Sequence, residues 1–286
     1  MLKKTLAAVF CAAGAMLSAA ENEELLYFSF DEGIAPDVSA SGSTCTGHVA
    51  ATENEGGFSG EAIEIKSGLV TGHTGMEMQF RALTVKPGLN HNADKGAIEF
   101  YFAPMITPED LEKMVKYTDA KGAAKRKIIM DRIIEICHYD EFSQADKRFT
   151  IGYGNVHVRG VSGGSKWRLV FEEVWKNQKR VYKGLDWNDG KILDRRIMHF
   201  DTGKWEAGKW HHILFTWDGG KRTLYVDGVK VKENTDSVIT SLIPEAHSTV
   251  IGGRAPFQQR QPETRFKLDE MKIHSTPILP EKVENK

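Results

Sequence analysis

The stretch that most constrains this chain is Trp210-His211-His212-Ile213-Leu214-Phe215-Thr216-Trp217 and the residues that follow it. Every residue except the threonine is bulky, and both alternating faces are largely apolar, which suits an inner strand between two packed layers. Asp218-Gly219-Gly220 turns the chain, and Arg222 to Val226 runs back. Asp227-Gly228 is a two-residue turn whose positions both tolerate positive φ, so Val229 to Val231 runs forward again. Local turns alone therefore pair three strands in a β-meander.

Period-two alternation broken by Gly, Asn and Asp turns recurs along the chain, the pattern of half-buried strands. Leu26, Phe28 and Phe30 alternate with Tyr27 and Ser29, and Ile98, Phe100 and Phe102 with Glu99 and Tyr101. Further strands are expected at Ala62 to Lys66, Phe149 to Val158, Trp167 to Trp175, Gln178 to Tyr182, Ile192 to Phe200, His247 to Gly252 and Phe266 to His274. Short strands at this spacing indicate an all-β sandwich of two antiparallel sheets. One segment departs from the pattern. Thr107-Pro108-Glu109-Asp110 carries a capping hydroxyl, a first-turn proline and two acids ahead of Leu111, Met114, Val115 and Thr118, with Gly122 as a stop, which predicts a helix from Pro108 to about Lys121 inside an insertion at about 105–127.

The first twenty residues read as a secretory signal, with Lys3 and Lys4, the apolar run Leu6 to Met16, and the small residues Ser18 and Ala20 before cleavage after Ala20. The apolar run is shorter than the roughly 18 residues a membrane span wants, so the expectation is a secreted or periplasmic protein with no membrane anchor. Phe10, bulky, precedes Cys11 where lipid attachment wants a small residue. Residues 21–286 then form a single domain. The formal charge of −1 becomes −1 − 2 = −3 once Lys3 and Lys4 leave, which gives no electrostatic case for nucleic acid. Cys45 and Cys137 remain; they are either a disulfide or two buried thiols, since a core of this size needs no staple.

The string GKWHHILFTWDGGKRTLYVDGVKV resembles the LamG-like branch of the concanavalin A-like lectin/glucanase superfamily, which includes laminin G and pentraxin-type domains. LYFSFDEG, GGFSGEAIEI, GAIEFYFAP, STVIGG and FKLDEMKIHSTPILPEKV resemble its other strands in order, covering residues 25 to 283 apart from the helical insertion and the stretch 159–205. The resemblance implies a jelly roll whose concave face and rim loops hold glycans or protein partners. Its β-glucan-cleaving members carry Glu-x-Asp-x-x-Glu or Glu-x-Asp-x-Glu on one strand face; here no Asp has a Glu two residues before it. Gly160-Val161-Ser162-Gly163-Gly164 matches a nucleophile elbow in letters, but strands are expected on both sides where the elbow needs a following helix. No catalytic residue is therefore assigned. His211 and His212 point to opposite faces and cannot chelate one metal.

The resemblance also implies one structural calcium held by oxygens near the first and last strands, where Asp31 and Asp269 stand; the odd apolar spacing from Leu268 to Met271 suggests a bulge that re-aims a carboxylate. The alternative is that both acids tie down backbone amides. For a ligand, a pyranose face stacks on an aromatic ring while its hydroxyls need polar partners. Trp187 with Asp186 and Asp189, on strands carrying Trp175 and Tyr182, offers both, and Arg254, Phe257, Gln258 and Arg260 form a second such loop; the alternative is that these aromatics cap the core. The expected function is a non-catalytic carbohydrate-binding or adhesion module for a polysaccharide or glycoprotein. The alternatives are a glycoside-cleaving enzyme on the same fold and a structural, protein-binding surface component.

Overall fold

A computed structural model describes residues 22–47, 51–67, 81–86, 90–107, 109–110, 116–118, 124–126, 129–138, 147–156, 166–175, 197–203, 205–235, 242, 248–254 and 264–280. The predicted signal and the expected strand Gln178 to Tyr182 lie outside them. In chain order the strands are β1 (Glu24–Phe28), β2 (Val38–Ser39), β3 (Thr44–Gly47), β4 (Ala51–Glu55), β5 (Glu61–Ser67), β6 (Arg81–Lys86), β7 (Lys95–Pro104), β8 (Lys116–Thr118) and β9 (Ala124–Arg126). They continue with β10 (Ile129–His138), β11 (Lys147–Val156), β12 (Lys166–Trp175), β13 (Ile197–Asp201), β14 (His211–Asp218), β15 (Lys221–Val226), β16 (Val229–Asn234), β17 (Ser248–Arg254) and β18 (Thr264–His274).

Two antiparallel sheets make the sandwich. One runs β16-β15-β14-β7-β18-β1-β2, with β5 also on β18 and β4 on β5; the other runs β13-β12-β11-β10-β17-β6-β3. The meander is β14-β15-β16, and its Asp227-Gly228 turn has φ of 51° and 76°, the paired positive values that a type I′ hairpin demands. Between the sheets, Phe149 and Phe171 stack on Phe215 at 5.2 and 4.9 Å, and Phe102 meets Tyr153 at 5.2 Å. Each such ring contributes roughly 1.5–3 kcal/mol by leaving water. Trp217 is wholly buried and its Nε1 donates to Asn92 O at 2.9 Å. Arg222 Nε reaches across from β15 to Glu173 Oε1 on β12 at 3.0 Å, a buried ion pair joining the sheets.

One expectation is corrected, and one alternative left open by the sequence is decided. The predicted cap exists, since Thr107 Oγ1 accepts from Asp110 N at 3.1 Å and donates to Asp110 Oδ2 at 2.8 Å, and Glu109 and Asp110 are helical. The helix does not run to Lys121, because Lys116–Thr118 is a strand paired with Ala124–Arg126. A cap starts a helix without setting its length, and Tyr117 and Thr118 favour extended backbone. Nor are the cysteines bridged. Cys45 is a free thiol. It stands opposite Val85, which faces Thr249, which faces Ile136, the residue before Cys137. Three strand spacings of about 4.8 Å separate them, far beyond the roughly 7 Å limit for a disulfide.

Candidate functional site

β11 and β12 are an antiparallel pair from Lys147↔Trp175 to Val156↔Lys166, so the described element that follows Gly160–Gly164 is a strand; the stretch itself lies outside the described residues. The paired histidines of β14 diverge. His211 stacks on Trp205 at 3.9 Å and its Nδ1 bonds Asp227 Oδ2 at 2.9 Å, whereas His212 turns to the other face and reaches Glu99.

That other face, turned away from the second sheet, gathers an unusual cluster. Glu99 on β7 accepts from His212 Nε2 on β14 at 3.2 Å and from His274 Nε2 on β18 at 2.8 Å. Burial opposes ionisation of Glu99, but the two imidazoles outweigh it and hold the carboxyl down at about 2. Asn22 Nδ2 lies 3.1 Å from His274 Nδ1, on the far side of the ring from Glu99. Tyr101, directly opposite His212 in the ladder, tilts over the imidazole at 4.8 Å. Phe58 then stacks on Tyr101 with ring centroids 3.6 Å apart and planes at 11°. Phe58 is nevertheless 47% exposed.

Phe58 belongs to the loop between β4 and β5, and two acids pin that loop. Asp31 Oδ1 accepts from Glu61 N at 2.8 Å, and Asp269 Oδ2 from Ser59 N at 3.0 Å. Asp269 Oδ1 also accepts from Glu270 N at 2.8 Å. The β7–β18 register shifts between Asp269 and Lys272, and Glu270 has φ of 49°, so a bulge does re-aim the Asp269 carboxylate, under the loop. Burial pushes Asp269 up to about 6 against the pull of these amides. The fit is tight: a Cβ on Gly57 would sit 2.7 Å from Asp269 Oδ2. The two acids thus serve one loop as amide acceptors. Among the described residues no group of three or more His, Cys, Asp or Glu side chains is placed to hold a metal ion.

The residues singled out for sugar binding fall elsewhere. Tyr182, Asp186, Trp187, Asp189, Phe257, Gln258 and Arg260 lie outside the described residues. Trp175 ends β12 and Arg254 ends β17; of their side chains nothing is described. Through the ladders Trp175 aligns with Lys147 and then His138, and Arg254 with Asp131, so β12 and β17 finish at opposite ends of the sheet. Phe58 and Glu99 were not singled out in the sequence. The signal available was Gly56-Gly57-Phe58-Ser59-Gly60, an apolar ring in a glycine turn where burial is hard.

No curated protein matches the sequence. Among solved structures the fold is similar to the binding domain of Paraclostridial Mosquitocidal Protein 1, with TM-score 0.52 and 12% identity over 90% of this chain and 49% of that one. It is similar also to the binding domain of botulinum neurotoxin serotype G, with TM-score 0.51 and 12% identity over 90% and 48%. A botulinum neurotoxin type C structure gives 0.50 and 11% over 89% and 48%. The chain spans about half the length of these structures, and at such identity the likeness is one of jelly-roll fold. The sequence profile Laminin_G_3, described as Concanavalin A-like lectin/glucanases superfamily, matches residues 141–284. That is half of the chain, and with the two-sheet jelly roll it establishes that this chain belongs to the Laminin_G_3 family of the concanavalin A-like lectin/glucanases superfamily.

Proposed function

We propose that this chain is an exported, non-catalytic carbohydrate-binding or adhesion module whose ligand stacks on Phe58. The observation that carries the reading is the exposed Phe58 ring, laid flat on Tyr101 by a loop that two carboxylates pin. An aromatic face held rigid beside hydrogen-bonding groups is what a pyranose ring recognises, and rigidity lowers the ordering cost of binding. Membership in a lectin/glucanase superfamily supports it. So does the neurotoxin type C neighbour, whose cell entry depends on interaction with two ganglioside molecules.

Glu99 itself does not serve as a glycosidase acid in this reading, since such an acid must carry a proton near neutral pH and this carboxyl is held at about 2 with both oxygens engaged. The loops around Trp187 and Gln258 are the second candidate surface of the same module. Glycan-array binding of the mature chain tests the reading, with Phe58→Ala and Trp187→Ala alongside. Glycan binding lost in Phe58→Ala is the expected result. Loss only in Trp187→Ala moves the site to the rim loops, and an array without hits overturns the function.

A further inference from the structure

We propose a second ligand site at the end of the sandwich where β13 runs on into β14, one that takes the hydroxyl groups of a sugar ring between the sheets. The choice of a sugar rests on the glycan-binding reading above, whereas the site rests on three buried polar atoms. Trp167 Nε1, Thr202 Oγ1 and His211 Nε2 have no hydrogen-bond partner in the protein, although their residues are only 8%, 8% and 5% exposed. Buried polar groups in folded proteins nearly always find a partner, because an unmatched one is costly. A single cluster holds all three. Thr202 N donates to Trp167 O at 3.0 Å, Trp167 tilts against Tyr153 at 5.6 Å, Tyr153 stacks with Trp205 at 5.7 Å, and Trp205 lies on His211 at 3.9 Å. Tyr153 and Trp205 also meet Phe102 at 5.2 and 6.1 Å, so the cluster lies between the two sheets.

The unmatched atoms ask for both kinds of bond. An indole Nε1 only donates, and a threonine hydroxyl does either. Burial opposes ionisation of Asp227, but the bonds from His211 and from the His212 amide outweigh it and hold the carboxyl below its ordinary value. An ionised carboxylate only accepts, so the His211 proton sits on Nδ1, and Nε2 of the neutral ring presents a lone pair. A hydroxyl accepts from the indole and donates to the imidazole, which neither an ammonium nor a carboxylate can do alone. The aromatic walls suit the apolar face of the same ring. The cluster also lies close to the surface. Among the described residues from Asp201 to Lys209 only Thr202 and Trp205 are buried, and Gly203 and Gly208, at φ of 61° and 79°, would meet nothing within 4 Å if given a Cβ. Trp205 thus plugs the opening from an otherwise exposed turn, and the guest enters beside it.

Heteronuclear NMR of the indole Nε1–H groups in the full mature chain tests the site, with the Trp167 resonance identified by its loss in Trp167→Phe. The probes are methyl glucoside, methyl galactoside and methyl mannoside. At least one of them should move the Trp167 resonance saturably. Thr202→Val, which keeps the side-chain shape and removes the hydroxyl, should weaken that binding about threefold or more. Phe58→Ala should leave it unchanged, so a failed ledge and a failed pocket are told apart. A Trp167 resonance that none of the glycosides moves means ordered water only and overturns the site. A saturable shift of equal affinity in Thr202→Val and His211→Phe overturns it as well. Circular dichroism of each variant separates a lost site from a lost fold.

Discussion

Two carboxylates in this molecule are driven in opposite directions by their surroundings, and each predicts its own pH dependence. Glu99 is lowered from 4.5 to about 2, so the stability it contributes is complete above about 4.5 and drains away as pH falls toward 2. By the conversion of 1.36 kcal/mol per pH unit this amounts to on the order of 3 kcal/mol. Denaturant unfolding of wild type and Glu99→Gln should show a gap at pH 7 that narrows below about pH 4.5 and closes only near pH 2; a gap independent of pH would contradict the assignment. Glu173 runs the other way, pushed up to about 7 by burial despite Arg222 beside it. Its contribution is complete below about 4.5 and lost as pH rises through 7. Glu173→Gln should therefore cost little at neutral pH, whereas Arg222→Ala strips the partner of a buried acid and should cost about 3–5 kcal/mol by the same unfolding measurement. Asp31 and Asp269 are acceptors for amides, so removal of divalent cations by a chelator should leave the melting temperature unmoved; a fall of several degrees would restore calcium to the site.

The loop from β4 to β5 is the element on which the site depends. Gly57→Ala places a methyl carbon 2.7 Å from Asp269 Oδ2, which must displace either the loop or the carboxylate. Protein stability should drop by roughly 1–3 kcal/mol, and the near-ultraviolet dichroism of the Phe58–Tyr101 stack should change; an unchanged spectrum would mean the loop does not hold the ring. Other elements differ in how plainly the sequence announces them. β14, β15 and β16 were legible because each turn is two residues long and chemically marked. β10 was not, although it sits inside its sheet between β11 and β17. A bulge between Arg132 and Ile134 buries Ile133, Ile134 and Ile136 together, which erases the alternation that marks a strand. The capped turn at Thr107 misled in the opposite sense, because its local signal is real and short.

Across the whole molecule, the order of the strand motifs along the chain carried the fold, since sandwich topology leaves traces at every strand. The site is harder to read, because it is made of residues far apart in sequence. Glu99, His212 and His274 come from three strands, and Phe58 meets Tyr101 only through a loop held by acids at positions 31 and 269. The alternation at 98–102 marked Glu99 and Tyr101 as outward-facing and could say nothing of what lies against them. The same distance in sequence hid the cysteine geometry: the ladder puts two strands between β3 and β10, so two free thiols should titrate in the denatured mature chain without reductant. The central claim is that a glycan stacks on Phe58. Its most direct test is the dissociation constant of a neutral oligosaccharide for wild type and for Phe58→Ala, measured side by side at equal foldedness. A loss of about tenfold or more in the variant, the weight of one aromatic stack, is the predicted result; equal affinity in the two proteins would contradict it.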